Sequence, residues 1–206
     1  MKQGDLEIAL VSRHAAVIRD WREWERKSLS LRRAALLLHE QVSLDWGIME
    51  PHLGSGKSVD LGEAGIDLSA PRTMLNGLAI ESLVKAIWVR HRDPIDPAGR
   101  FLIGHHRTFD LISELSISLY EEEEDLLHRL ESYVVWAGKY PTSRRASELL
   151  PKVLQSGQKS APAYSIHRLD EETFLCLYDR LRAILHEGIR GHSLRDADTE
   201  GVLSDE

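Results

Sequence analysis

Cysteine is almost absent: Cys176 is the only one in 206 residues. A disulfide framework needs pairs and a Cys-rich zinc module needs several ligands, so both classes are excluded. Aromatics make up only 6% of the chain, yet five of the thirteen are Trp, and two of these, Trp21 and Trp24, sit together near the start. No apolar run approaches the roughly 18 residues of a membrane span. The opening MKQGDLEIAL has acids where a secretory signal carries a continuous apolar stretch, so a cytoplasmic protein without a membrane partner is expected. The length suits one domain with a core large enough to stand without staples.

Positive charge is also short. The net charge is −7, and residues 1–103 balance 14 Lys/Arg against 14 Asp/Glu, so all of the excess lies in residues 104–206, with 12 against 19. Two patches account for it: Glu121-Glu122-Glu123-Glu124-Asp125 and the tail RDADTEGVLSDE. The first stands directly before an apolar-periodic segment, where acids favour the positive end of a helix dipole, and it reads as capping rather than as a binding motif. The tail, 195–206, reads as solvated and frayed. Such acidity argues against a general nucleic-acid binder but leaves room for a local basic groove.

Gly and Pro are missing between Asp5 and Trp46, and residues 5–44 read as one long helix or two. Seven Gly and Pro residues then mark 46–71 as an inserted loop, with a short hairpin around Val59–Leu61 and Ile66–Leu68. The next helix is expected over 72–89, with Leu75, Leu78, Ala79, Leu83, Ala86 and Ile87 as its stripe and Glu81–Lys85 as an i,i+4 pair. Asp93-Pro94 and Asp96-Pro97 stop it. Further helices are expected over 105–118 and 121–137, the latter stopped by Gly138. A polar connector over 139–169 should carry a short helix near 143–155. Asp170 should cap a last helix with Phe174, Leu177, Tyr178, Leu181 and Leu185 inward, closed by Gly188 and Gly191. The whole is an all-α, up-and-down bundle of about five helices, one domain over 1–194.

Several motifs fail. Gly54-Ser55-Gly56-Lys57-Ser58 lacks the earlier glycine of a phosphate loop, because Pro51 stands there. His186 and His192 are six apart across two glycines, not four apart on one helical face, so no metal is expected. His105 and His106 are adjacent and on a helix would point about 100° apart. Cys176 reads as a buried structural thiol. What survives is Arg180-Leu-Arg182-Ala-Ile-Leu-His186. Arg182 and His186 are i,i+4 and share a face, with Arg180 further round. A guanidinium beside an imidazole suits phosphodiester chemistry, since His can move a proton while Arg stabilises charge on the phosphate. The same residues also make an ordinary polar face with a His at a helix C-terminus. Arg100-Phe-Leu-Ile-Gly-His105 is a second candidate, straddling a loop and a helix start.

Three blocks resemble the HEPN superfamily. MLNGLAIESLVKAIWV (74–89) is similar to a helix with a small residue followed by Ala-x-Glu-x-x-x-Lys. Gly104-His105 resembles the Gly-His turn that commonly comes next. LLHRLESYVVWAGKYPTS (126–143) is similar to the Trp-x-Gly-Arg-Tyr-Pro element of one bacterial HEPN-like group, with Lys139 in place of Arg. With the last helix the resemblance spans about 72–188. It implies a helical bundle acting as a homodimer, and for many members a cofactor-free, metal-independent endoribonuclease of a toxin or defence system. In those, the dimer brings two Arg-x(4–6)-His motifs around an RNA phosphate. Arg180-x5-His186 and Arg100-x4-His105 both match that spacing, but Leu181 stands where active members commonly carry a polar residue. Other HEPN-like proteins are non-catalytic modules that bind a nucleotide or a partner, such as a cognate antitoxin or a nucleotidyltransferase-like protein. For nucleotide binding, Glu81 and Lys85 are the residues to watch. For partner binding, they are Trp21 and Trp24, unless these simply pack between helices.

Overall fold

A computed structural model describes residues 3–52, 68–137, 147, 150–162 and 170–188. The architecture is all-α. Helices α1 (Gln3–Arg19), α2 (Trp21–Met49), α3 (Ser69–His91), α4 (Thr108–Glu114), α5 (Glu121–Ser132) and α6 (Asp170–Glu187) follow in chain order. A 3-10 turn, Glu50–His52, ends α2, and a π-helical turn, Tyr133–Ala137, extends α5. Pairing of extended chain among the described residues is confined to two isolated bridges, Ile95 with Phe101 and Val153 with Lys159.

The long N-terminal segment is two helices, and the break has a local cause. Asp20 takes an extended conformation, and its carboxylate accepts from the Arg22 backbone N–H at 3.0 Å, supplying an N-cap for α2. α2 then runs on through Gly47, so the expected loop begins later than 46. The Gly54–Ser58 stretch, the hairpin expected around Val59–Leu61 and Ile66–Leu68 (apart from Leu68), Gly138, His192 and the acidic tail lie outside the described residues. α4 is much shorter than expected. It starts after Arg107 and ends where Ser116 adopts a left-handed φ of 56°, so His105 and His106 precede the helix and lie in a bend. Much of the short helix expected near 143–155 lies outside the described residues: Ser147 is in a 3-10 turn, and 150–162 are not helical. Gly188 ends α6 with φ of 99°, a conformation that favours glycine, and its N–H reaches Ile184 O.

Helix α3 is the centre. Every residue from Ala79 to Val89 is buried, and α2, α4, α5, the π turn and α6 all pack on it. Its aliphatic side chains join Leu126, Leu127 and Leu130 of α5 and Leu177, Leu181, Ile184 and Leu185 of α6 in one core. α2 lies against α3 through small residues at seven-residue intervals, Ser28, Ala35 and Val42, and the Ser28 hydroxyl donates to Ala79 O at 2.7 Å. Gly77 sets the approach of α3 to α5, since a Cβ there would lie 2.7 Å from Val134 Cγ2 and 3.0 Å from Leu130 O. Cys176, expected inside, is exposed: it lies about 100° round from Leu177, off the inward stripe of α6. Trp21 and Trp24 pack against the core, so helix packing accounts for both.

The acidic run does more than oppose a dipole. The Glu123 carboxylate accepts from Tyr120 N at 2.9 Å, a local N-terminal cap. Glu124 accepts from Gln155 N at 2.9 Å, and Asp125 from Ala161 N at 2.6 Å, so two adjacent acids tie the connector to α5. Beside them His128 lies against Phe109, the rings tilted by 36° with centroids 4.7 Å apart, and its Nδ1 is buried and lacks a hydrogen-bond partner among the described residues. Burial first, and then the charge of Lys152, push its pKa down to about 4.

Two outcomes follow from this packing. Gly77→Ala should destabilise the protein by about 1–3 kcal/mol in urea unfolding, although alanine alone favours helix by about 1 kcal/mol. A neutral or stabilising result would mean that α5 can retreat. His128 is neutral in the fold and titrates near 6.5 when unfolded, so its contribution is present above pH 6.5 and is lost as pH falls towards 4. His128→Gln should flatten the stability–pH curve between those limits, read by urea midpoints at pH 4.5 and 7.

Candidate functional site

Helices α2 and α6 both rest on α3 and meet along a polar seam. From α2 come Glu25, Ser28 and Arg32, spaced by three and four residues, and from α6 come Tyr178, Arg182 and His186, spaced by four. Each set is one helix face. At the closed end the Tyr178 hydroxyl lies 3.0 Å from Ser28 Oγ, and Arg32 lies over the Tyr178 ring at 4.7 Å. Burial holds that phenol above its ordinary range, against the opposing pull of Ser28, Arg32 and Arg182.

At the open end His186 Nε2 is 2.7 Å from Glu25 Oε1. The carboxylate can only accept, so Nε2 donates to it, which in the neutral imidazole leaves the lone pair on Nδ1. Arg182 Nε lies 3.9 Å from the same oxygen, an ion-pair contact too long for a hydrogen bond, and that buried nitrogen has no hydrogen-bond partner among the described residues. The His186 side chain is 46% exposed and Arg182 41%, whereas Glu25 is 14% exposed. Trp21 presents an edge to the imidazole, centroids 5.9 Å apart, and its ring also faces the guanidinium groups of Arg22 and Arg90. The site is a carboxylate at depth, an oriented imidazole and a guanidinium at the mouth, and an aromatic wall with two more cations.

Arg180, the arginine of the Arg-x5-His spacing, is elsewhere. Its guanidinium is paired with Glu123 and donates to Ser118 O at 3.0 Å, with Tyr120 beneath it. Two residues along a helix turn the side chain by about 200°, which carries Arg180 to the α5 side and leaves Arg182 with His186. The partner of His186 is Glu25, 161 residues away in sequence. Glu25 has no sequence signature beyond its place on an α2 face.

The second candidate pair does not converge. Arg100 folds back on Asp96, Nε to Oδ2 at 2.7 Å and backbone N to Oδ1 at 2.8 Å, and these bonds hold the Asp96 carboxyl below its usual range. His105 Nδ1 accepts from Arg107 N at 3.2 Å. Burial, then the charges of Arg107 and Lys85, lower the His105 pKa. The neighbouring His106 instead reaches Glu81 Oε2 at 2.9 Å, and Glu81 Oε1 accepts from Lys85 Nζ at 2.6 Å. Glu81 and Lys85 are each 5% exposed, so they are a buried intrahelical ion pair with an imidazole on its rim and offer no open groove to a nucleotide.

A cavity of about 600 Å3 opens at the other end of the α2–α6 seam, between the start of α3 and the start of α6. His39, Trp46, Arg72, Arg129, Tyr133 and Phe174 are among its walls. Its guanidinium groups are committed to protein acids, Arg72 to Glu171 and Arg129 to Asp170 and Asp125. Among the described residues no three His, Cys, Asp or Glu side chains are grouped to hold a metal ion, and no helix is long and apolar enough to cross a membrane. No family model, curated protein or solved structure matches the chain.

Removing one member of a buried ion pair leaves the other charge stranded, at a cost of about 3–5 kcal/mol. Lys85→Met should therefore unfold at markedly lower denaturant than wild type, and the double variant Glu81→Leu/Lys85→Met should recover much of the loss. Equal midpoints for wild type and Lys85→Met would mean that water reaches this pair.

Proposed function

We propose that the protein is a metal-independent endoribonuclease acting through His186, Glu25 and Arg182, a reading that joins the HEPN resemblance to the geometry at the mouth of the α2–α6 seam. The observation that carries it is an exposed imidazole oriented by a sheltered carboxylate, beside a guanidinium whose Nε has no hydrogen-bond partner among the described residues. His186 Nδ1 takes the proton of a ribose 2′-hydroxyl, and the 2′-oxygen bonds to phosphorus. The bond from phosphorus to the 5′-oxygen breaks with its electron pair, and that oxygen is protonated from solvent. The products are a 2′,3′-cyclic phosphate and a 5′-hydroxyl. Glu25 fixes the tautomer and steadies the imidazolium that forms. Arg182 binds the non-bridging oxygens, where charge develops. Arg22 and Arg90, held against the Trp21 ring, add positive charge beside the site for the RNA backbone. A toxin or defence setting, a cytoplasmic location and a homodimer complete the proposal.

The alternative is a non-catalytic HEPN-like module that binds a partner protein, such as a cognate antitoxin or a nucleotidyltransferase-like protein, or a nucleotide. One observation favours it: Arg180, the arginine of the expected motif, is held by Glu123 and Ser118 and is not beside His186.

Cleavage of an end-labelled RNA pool in EDTA separates the two. Wild type should cleave, His186→Ala should lose on the order of a hundredfold or more, and Glu25→Gln and Arg182→Ala should lose activity without losing the fold. Arg180→Ala should lower the denaturation midpoint and leave the rate constant of the folded fraction nearly unchanged. No cleavage by a folded wild type, or cleavage that survives His186→Ala, overturns the enzyme reading.

A further inference from the structure

Helix α2 is apolar on two faces. One carries Ser28, Ala35 and Val42 into α3. The other carries Leu29, Leu36, Leu37, Leu44 and Ile48, exposed by 40, 47, 74, 63 and 51%. At about 100° per residue these five fall within a sector of about 120°, centred roughly 160° from the buried face. A helix on the outside of a bundle turns a polar face outward, and one that is apolar on both sides lies between two partners.

The outward face is also self-complementary. If a second α2 is laid antiparallel across it with the two-fold axis between Leu36 and Leu37, residue i faces residue 73 − i. Leu36 then meets Leu37, and Leu29 meets Leu44. Arg33 meets Glu40, and both are exposed and without an ion-pair partner among the described residues. Throughout 25–48 this register sets no two like charges opposite each other. A surface made for an unrelated protein has no reason to match its own reverse, whereas an isologous interface requires it.

We propose that the outward face of α2 is the homodimer interface, with antiparallel α2 helices centred on Leu36 and Leu37 and crossed by two Arg33–Glu40 pairs. The register has a consequence for the seam. Glu25 of one protomer lies level with Ile48 of its partner, so the two Glu25 residues are about 35 Å apart along the helix axes. The two His186 sites are therefore remote from one another, and each is complete within its own chain. This differs from the dimer that the HEPN resemblance implies, in which two motifs share one phosphate.

Light scattering on the full chain tests the interface without reference to activity. Wild type should run at twice 23.4 kDa. Leu37→Glu should be monomeric with unchanged helicity by circular dichroism. Arg33→Glu sets Glu against Glu40 in both crossings and should weaken the dimer at least about tenfold, while Arg33→Glu/Glu40→Arg should restore it to within about threefold. Because both substitutions lie on solvent, loss of the fold is not expected, and circular dichroism checks it. A monomeric wild type overturns the proposal, as does a dimer indifferent to Leu37→Glu or a double variant no tighter than Arg33→Glu.

Discussion

A helix buried on all sides imposes one condition on everything around it: each polar group it carries must find its partner inside the protein. For α3 the condition is severe, because eleven consecutive residues are buried and two of them, Glu81 and Lys85, are charged. They neutralise one another one turn apart, the Glu81 carboxylate takes a further bond from His106, and the Lys85 ammonium lies 5.6 Å from the Trp24 ring. That arrangement fixes three neighbours at once. The bend before α4 must bring His106 to α3, α2 must bring Trp24, and the face of α3 with Ala79 and Ile80 must receive α2 and α6. The α2–α6 seam, and with it the position of Glu25 opposite His186, depends on this placement.

Periodicity made the helices legible. The apolar spacing of α3, α5 and α6 located each to within a few residues, since α5 and α6 each have an inward stripe and α3, buried all round over 79–89, is stopped by Asp93-Pro94. It also placed Arg182 and His186 on one face and Arg180 off it. The failures have physical causes. Periodicity cannot show that α1 and α2 break at Asp20, since that is the work of one side chain on one backbone N–H. It overextended α4, where apolar residues on both sides of Ser116 mimic a continuing helix. Cys176 was misplaced because thiols are usually buried, a statistical preference that the phase of α6 overrides.

The site was legible only in half. Arg182 and His186 belong to one helix and can be read from spacing, but Glu25 belongs to another, and nothing local distinguishes it from the other acids of α2. Arg180 shows the reverse problem. A spacing motif counts residues and says nothing of direction, and the acid that claims Arg180 lies at the start of α5. The second apolar stripe of α2 was open to view as Leu29, Leu36, Leu37 and Leu44, but in a sequence two stripes on one helix blur into general hydrophobicity.

The ties between α5 and the connector constrain the order in which this chain can fold. Gln155 N and Ala161 N are capped by the carboxylates of Glu124 and Asp125, 31 and 36 residues earlier. Those oxygens stand at the right spacing only once the first turn of α5 exists, whereas residues 150–162 form by themselves only a small turn closed by Ser160 N to Lys152 O and Leu154 N to Gln158 O. Docking of 150–162 is therefore expected to wait for the first turn of α5, and its loop-closure entropy is spent at that step. The Gln155 and Ala161 amides are shielded from exchange by acid side chains and not by a backbone carbonyl, so their protection reports on the start of α5, a helix to which they do not belong.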